Sequence, residues 1–184
     1  MPMESKPFWK KTSVEGRQLW RIIGIPLIFI LAFLAVWPWL RIALWSHQEQ
    51  ELYFSKPQGL YLGTEKRKFT KRKPIAYQVV SAVICGPQSD KLTNSIPKGT
   101  KLLTIRLLKD VAYVDLSEEF STNIVDKRQE VLALYSIVNT LTGLPGIERV
   151  QILISGKRRD TLHGNVSIKN PLEADHSLIV GAGD

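Results

Sequence analysis

The sequence predicts an α+β protein, an N-terminal transmembrane helix followed by a two-layer βαββαβ sandwich. Three observations carry that prediction. A charge-free run of 19 residues, Ile22 to Leu40, stands between Arg21 and Arg41. All five tryptophans lie within the first 45 residues, so the chain is two materials joined. Beyond residue 50, two stretches with the 3.6-residue spacing of a one-faced helix are interleaved with stretches that alternate apolar and polar residues, the period of a half-buried strand.

As a helix, residues 22–40 extend about 28 Å against a hydrocarbon core of roughly 30 Å. Trp20 at one end and Trp37, Trp39 and Trp45 at the other suit the headgroup level, where Arg41 can snorkel. Pro26 and Pro38 lie near the ends of the run, away from mid-bilayer. Lys6, Lys10, Lys11, Arg17 and Arg21 precede the run, and only Arg41 and Lys56 follow closely, which predicts an N-terminus held inside. A cleaved signal peptide would have a shorter apolar stretch and small residues at its exit, where this chain has Ala43, Leu44 and Trp45. The expected localisation is therefore the cytoplasmic membrane, single-pass, with the C-terminal domain extracytoplasmic.

The remaining length suits one hydrophobic core. Glu51 to Ser55 reads as a short strand around Leu52, Tyr53 and Phe54, followed by a basic connection. Pro74 suits the first position of a helix in which Ala76, Val79, Val80 and Val83 form one stripe, ended by Gly86 and Pro87. Leu103, Ile105 and Leu107 alternate with Thr104 and Arg106. Lys109 and Asp110 then turn the chain into a second strand, Val111 to Leu116, with Ala112, Val114 and Leu116 inward and Tyr113 and Asp115 outward. A second helix is expected from about Asp126 to Thr142, striped by Val131, Leu134, Tyr135, Val138 and Leu141, with Ser136 and Asn139 on its exposed side. A last strand, Arg149 to Ile154, alternates Val150, Ile152 and Ile154 with Arg149 and Gln151. Val166 to Ile168 is a candidate strand before a loose end at Gly181 to Asp184. Two one-striped helices and four strands call for helices covering one face of a sheet.

Taken in order, LYF at 52–54, VICGP at 83–87, SIPKGTKLL at 95–103, VAYVDLS at 111–117 with Phe120, ALYSIVNTLT at 133–142 and PGIERVQILISG at 145–156 resemble the GerMN domain of GerM-type sporulation and spore germination proteins. The resemblance covers roughly residues 51–172. It implies a small sandwich related to ring-building folds, used for assembly and bringing no catalytic residue with it. The expected organisation is a cytoplasmic segment 1–21, a transmembrane anchor 22–40, a juxtamembrane stalk 41–50, the GerMN-like domain 51–172 and a tail 173–184.

Composition excludes several function classes. With 25 Lys+Arg against 17 Asp+Glu (net +8), 44% hydrophobic residues, 23% charged residues and a single cysteine, the chain is neither disordered nor a disulfide-stapled mini-protein. Its three histidines, His47, His163 and His176, are scattered, and no HExxH, GxSxG or phosphate-cradling glycine loop is present. No catalytic, cofactor-binding or metal site is expected, and no enzyme. Asp115, Glu118 and Glu119, with Asp126, form the one tempting carboxylate cluster. Two readings stand: a hard-cation site, or a capped turn with its glutamates at the N-terminal end. Cys85, in an apolar helical run, reads as a small buried hydrophobe.

The most unusual feature is KRKFTKRK at 66–73, with Lys66, Arg67, Lys68, Lys71, Arg72 and Lys73 around Phe69. Such a run repels itself and predicts an exposed, mobile loop. It is the candidate anion- or partner-binding site, for anionic wall polymers, lipid headgroups or an acidic partner. Lys157, Arg158 and Arg159 form a second basic group. Nucleic acid is not expected, because no stacking platform accompanies the charge. The functional expectation is a non-catalytic assembly or docking module of the bacterial cell envelope, in sporulation or spore germination, with an envelope protein or a homo-oligomer as partner and the uncovered sheet face or edges as contact surface. The alternative is a binder of anionic envelope polymers or headgroups through 66–73.

Overall fold

The computed structural model describes residues 25–44, 47–71 and 73–179, and the chain divides into two units, 1–46 and 47–184. The first unit contains one described helix, α1 (Ile25–Leu44), with Pro38 inside it and the rings of Phe33 and Trp37 4.8 Å apart. Among the described residues no helix is long and apolar enough to cross a membrane. The expectation of a single-pass anchor over 22–40, and with it the N-in, domain-out membrane localisation, is corrected on this ground. Residues 1–24 of that expectation, and the stalk residues Trp45 and Ser46, lie outside the described residues.

The second unit contains, in order, β1 (His47–Ser55), β2 (Leu62–Thr70), α2 (Ile75–Cys85), β3 (Leu102–Leu108), β4 (Val111–Leu116), the short α3 (Glu119–Thr122), α4 (Lys127–Thr142), β5 (Arg149–Ile154) and a 3-10 turn at His176–Leu178. The α+β class stands, and in this unit the two expected helices and the four strands expected before residue 155 are present, though the first strand lies in a different sheet from the other three. The βαββαβ order gains one strand, because the basic connection after the first strand is itself β2. There are two sheets: an antiparallel ribbon β1–β2, and a three-stranded sheet ordered β3–β4–β5. β3 and β4 form the expected hairpin, turning at Lys109, which takes a left-handed φ of 55°. β5 runs parallel to β4, and α3 and α4 fill the long crossover that a parallel pair demands.

Local chemistry sets the helix ends. Pro74 caps α2 with extended dihedrals that lead into the helix, and Gly86, at φ 97°, closes it by donating its N–H to the carbonyls of Ala82 and Val83. At α4 the Asp126 carboxylate accepts the N–H of Gln129, and the Gln129 side chain accepts the N–H of Val125, a reciprocal cap.

One core gathers Leu52 and Phe54 from β1, the expected α2 stripe, Ala112, Val114 and Leu116 from β4, Phe120 from α3, Leu134, Ile137, Val138 and Leu141 from α4, and Val150, Ile152 and Ile154 from β5. α4 departs from a single stripe. Ser136 and Asn139, expected to be exposed, are buried, because the helix is packed on more than one side. The Ser136 hydroxyl meets Ser95 Oγ at 3.1 Å and donates to the Leu132 carbonyl. Asn139 exchanges two hydrogen bonds with the Asp175 backbone, which fastens part of the tail segment onto the domain. Gln151, expected on a polar face, is also buried, since residues 160–172 fold over β5: its amide donates to the Ile168 carbonyl, and Val150 bridges Leu172. Val166 to Ile168 makes only an isolated bridge, Thr161 to Ser167.

Candidate functional site

Two surfaces compete for a role, the basic segment and the open side of the three-stranded sheet. Residues 66–70 of the basic segment are not a loop; they are the second half of β2, paired residue for residue with the start of β1. Lys66 lies opposite Glu51 and Lys68 opposite Glu49, so the partner strand supplies the charges that offset the self-repulsion of the run. Lys66 Nζ is 3.6 Å from Glu51 Oε1, with both side chains about half exposed or more, a pair of small energetic weight.

Arg67 is different in kind. Its guanidinium side chain is 11% exposed, pairs with Glu65, donates to the Gly86 carbonyl at 2.7 Å, and stacks 5.2 Å from the centre of the Phe54 ring. Glu65 Oε2 accepts the N–H groups of Gln88 and Ser89. Burial alone would raise the Glu65 carboxyl, but Arg67 and those two N–H groups hold it below its ordinary value. Glu65 and Arg67 thus clamp β2 onto the C-terminal end of α2. Of the six sequence-predicted cations, Lys68, Lys71 and Lys73 are exposed, Lys66 is exposed beside Glu51, Arg67 is structural, and Arg72 lies outside the described residues.

The carboxylates after β4 do not converge, and among the described residues no group of three ligands suits a metal ion. Asp115 Oδ1 accepts the Gly156 N–H at 2.8 Å. Glu118 pairs with Arg159, which also donates to Ser121 Oγ at 3.0 Å. The Ser117 hydroxyl and the backbone N–H of Glu119 itself hold the Glu119 carboxyl below its ordinary value, and Asp126 is the α4 cap already described. Cys85 is exposed, not buried as expected, because it falls outside the Ala76, Val79, Val80, Val83 stripe.

Sequence reasoning passed over Glu130. Buried in the first turn of α4, its Oε1 accepts the N–H of His163 at 2.7 Å and of Val166 at 3.0 Å, while Oε2 takes the Asn165 side-chain amide at 2.7 Å. Burial pushes its pKa up, but the bonds from His163, Asn165 and Val166 prevail and hold it below the ordinary glutamate value. The available signal was an acid one turn into a helix whose stripe it interrupts.

The second surface is β3. It is an edge strand, and a bulge between Leu102 and Thr104 breaks its register with β4. The extra residue, Leu103, displaces the expected alternation, so Leu102, not Leu103, sits opposite Leu116. Leu103, Leu107 and Leu108 are 45%, 58% and 61% exposed. Beside them, Thr104, Arg106, Tyr113, Asp115 and Leu153 line a shallow hollow of about 520 Å³, with the Arg158 guanidinium 5.8 Å from the centre of the Tyr113 ring. An exposed apolar edge beside an uncovered sheet face is a template for strand addition or face-to-face docking. It offers no paired acid and base.

None of the curated protein sequences compared with the chain matches it. Among solved structures, a Clostridium perfringens chain assigned as a lipoprotein is 27% identical, over 70% of this chain and 88% of that one, with a TM-score of 0.50. The first GerMN domain of the sporulation protein GerM from Bacillus subtilis is 20% identical, over 71% of this chain and 98% of that domain, at a TM-score of 0.58. The tandem GerMN domains of the same protein align at 15% identity and a TM-score of 0.60 over 73% of this chain. The present chain spans 48% of that tandem, about one of its two domains. The family model described as "Germane: Sporulation and spore germination" matches residues 51–160, more than half of the chain, and the chain therefore belongs to the Germane (GerMN) family.

Proposed function

We propose that this chain is a non-catalytic assembly or docking module of the bacterial cell envelope, acting in sporulation or spore germination through protein–protein contacts. The observation that carries the reading is the exposed apolar edge of β3 with its open sheet face, on a domain in which Glu65, Arg67, Glu118, Arg159 and Glu130 are engaged in holding the fold together. The family description and the sporulation protein among its structural neighbours support the process. Chemical crosslinking in cells producing the full chain, followed by solubilisation, is the test. Recovery of a discrete complex with a protein partner or with itself is expected. A lone monomer at every growth stage contradicts the proposal.

A second reading has one observation in its favour. Lys68, Lys71 and Lys73 are exposed along and just beyond β2, and each cation near an anionic surface contributes about 1 kcal/mol. Binding to anionic wall polymer or acidic vesicles that falls steeply with salt, and is lost when these lysines with Lys66 are changed to glutamine, would favour it. Arg67 is left intact in that variant because its removal would disturb the fold.

A further inference from the structure

We propose that the β3 edge is a self-recognition strand: a second copy of this chain adds antiparallel to it about a two-fold axis through Ile105. The proposal rests on the assembly reading above and names its partner. Three observations carry it.

The strand reads Leu102-Leu103-Thr104-Ile105-Arg106-Leu107-Leu108, which is a palindrome except that Thr104 and Arg106 exchange. Paired antiparallel with itself about Ile105, it sets Ile105 against Ile105 and Leu107 of each copy against the bulged Leu103 of the other, while Leu102, moved by the bulge to the face opposite Leu108, lies beyond the paired stretch. The paired stretch is apolar at its centre and flanks, and the two-fold axis makes it isologous. The outer edge is also free: among the described residues, β4 is the only strand that pairs with β3, and no isolated bridge involves it. Leu103 and Leu107, the residues such pairing would cover, are about half exposed or more.

The third observation is charge. Thr104 stands opposite Asp115 across the hairpin, and Arg106 opposite Tyr113. In the two-fold pair, Arg106 of the second copy comes opposite Thr104. One row across the joined sheet then reads Asp115, Thr104, Arg106 of the second copy, Tyr113 of the second copy. Asp115 and that arginine are two strand spacings apart, about 9.6 Å along the sheet. An extended arginine side chain can cross that gap to Asp115 Oδ2, the carboxylate oxygen that does not take the Gly156 N–H. Symmetry makes the ion pair twice. Within one copy, neither Arg106 nor Asp115 has a salt-bridge partner among the described residues, and Asp115 is held only by the Gly156 N–H on Oδ1. The bulge at Leu103 bends the end of the strand, which limits pairing to a short stretch and favours a closed pair over an open stack.

The test uses purified full-length protein with Cys85→Ser, so that any added cysteine stands alone. About the proposed axis, the two copies of residue 105 have Cα atoms about 4.5–5.5 Å apart, inside the disulfide window of roughly 4.4–6.8 Å. Ile105→Cys is expected to give a reducible dimer under mild oxidation. Thr104→Cys alone and Arg106→Cys alone are expected to give at least tenfold less, while the two combined crosslink, because 104 faces 106 of the other copy. As a measurement independent of cysteine, sedimentation should show Arg106→Glu weakening the dimer by about tenfold and Arg106→Glu with Asp115→Arg restoring it. Equal crosslinking from 104, 105 and 106, or no recovery in the charge swap, overturns the proposal. If those results appear while crosslinking in cells still captures a discrete complex, self-pairing fails and the assembly reading stands. If no complex of any kind is captured, both fail.

Discussion

Replacing Glu130 with alanine tests the electrostatic reasoning most sharply. The carboxylate holds the 163–166 segment against the first turn of α4 through His163 N, Val166 N and the Asn165 amide, at 2.7, 3.0 and 2.7 Å. Hydrogen bonds to a charged group contribute about 1.5–3 kcal/mol each. His163 and Asn165 are themselves exposed, so water recovers part of the loss when the acceptor goes. The expected destabilisation at neutral pH is about 2–4 kcal/mol, a fall in Tm of roughly 8–16 °C at about 4 °C per kcal/mol. Glu130→Gln, which keeps one acceptor oxygen, should lose about half as much. Because the folded pKa of Glu130 is lowered, its contribution is fully present above the unfolded value of about 4.3 and disappears as pH falls through the folded value. The deficit of Glu130→Ala relative to the parent should therefore shrink as pH is lowered from 7 to 3. Calorimetry across that range, with hydrogen exchange on residues 160–168, measures both. A deficit below about 1 kcal/mol at pH 7, or one of the same size at pH 7 and pH 3, refutes the reasoning.

Other outcomes follow from the same structure. Arg67→Ala should lower stability by about 1–3 kcal/mol in urea unfolding, since it breaks the Glu65 pair and frees the Gly86 carbonyl, whereas Lys68→Ala should stay within about 0.5 kcal/mol. Gly86 sits at φ 97°, and an added Cβ would meet Asn94 Nδ2 at 3.0 Å, so Gly86→Ala should cost about 1–3 kcal/mol by the same measurement. Cys85 is exposed, so a maleimide should label it in the native protein at a rate within about tenfold of the unfolded chain, where a buried thiol would be strongly protected.

What could be read in the sequence was what local period dictates. The α2 stripe, the β3–β4 hairpin, the inward face of β4 and the span of β5 follow from apolar spacing over a few residues, and the structure has them. What could not be read depends on partners distant in sequence. KRKFT looked like a loop because its own charges repel, yet Glu49 and Glu51, 15 to 19 residues earlier, lie opposite and make it a strand. Ser136, Asn139 and Gln151 looked like surface because each is polar, yet Ser95, Asp175 and Ile168 supply their hydrogen bonds from other parts of the chain. Cys85 is an error of a different sort, since its position off the α2 stripe already predicted exposure. The transmembrane expectation rests on local apolar content alone, and among the described residues no helix is long and apolar enough to cross a membrane. At the candidate site, the apolar content of β3 was legible, but its exposure was not. That exposure depends on β3 lying at the edge of the sheet order, and on the bulge that moves Leu103 out of the alternation.

The central claim is that this domain makes contacts through the β3 edge and the sheet face beside it. Photo-crosslinking in cells measures it directly, with a photoreactive residue placed at Leu107 or Leu108, and at Tyr77 or Val125 as exposed apolar controls elsewhere. The account predicts discrete protein adducts from 107 and 108 and none from 77 and 125. Equal adducts from all four positions, or adducts from the controls alone, would contradict it.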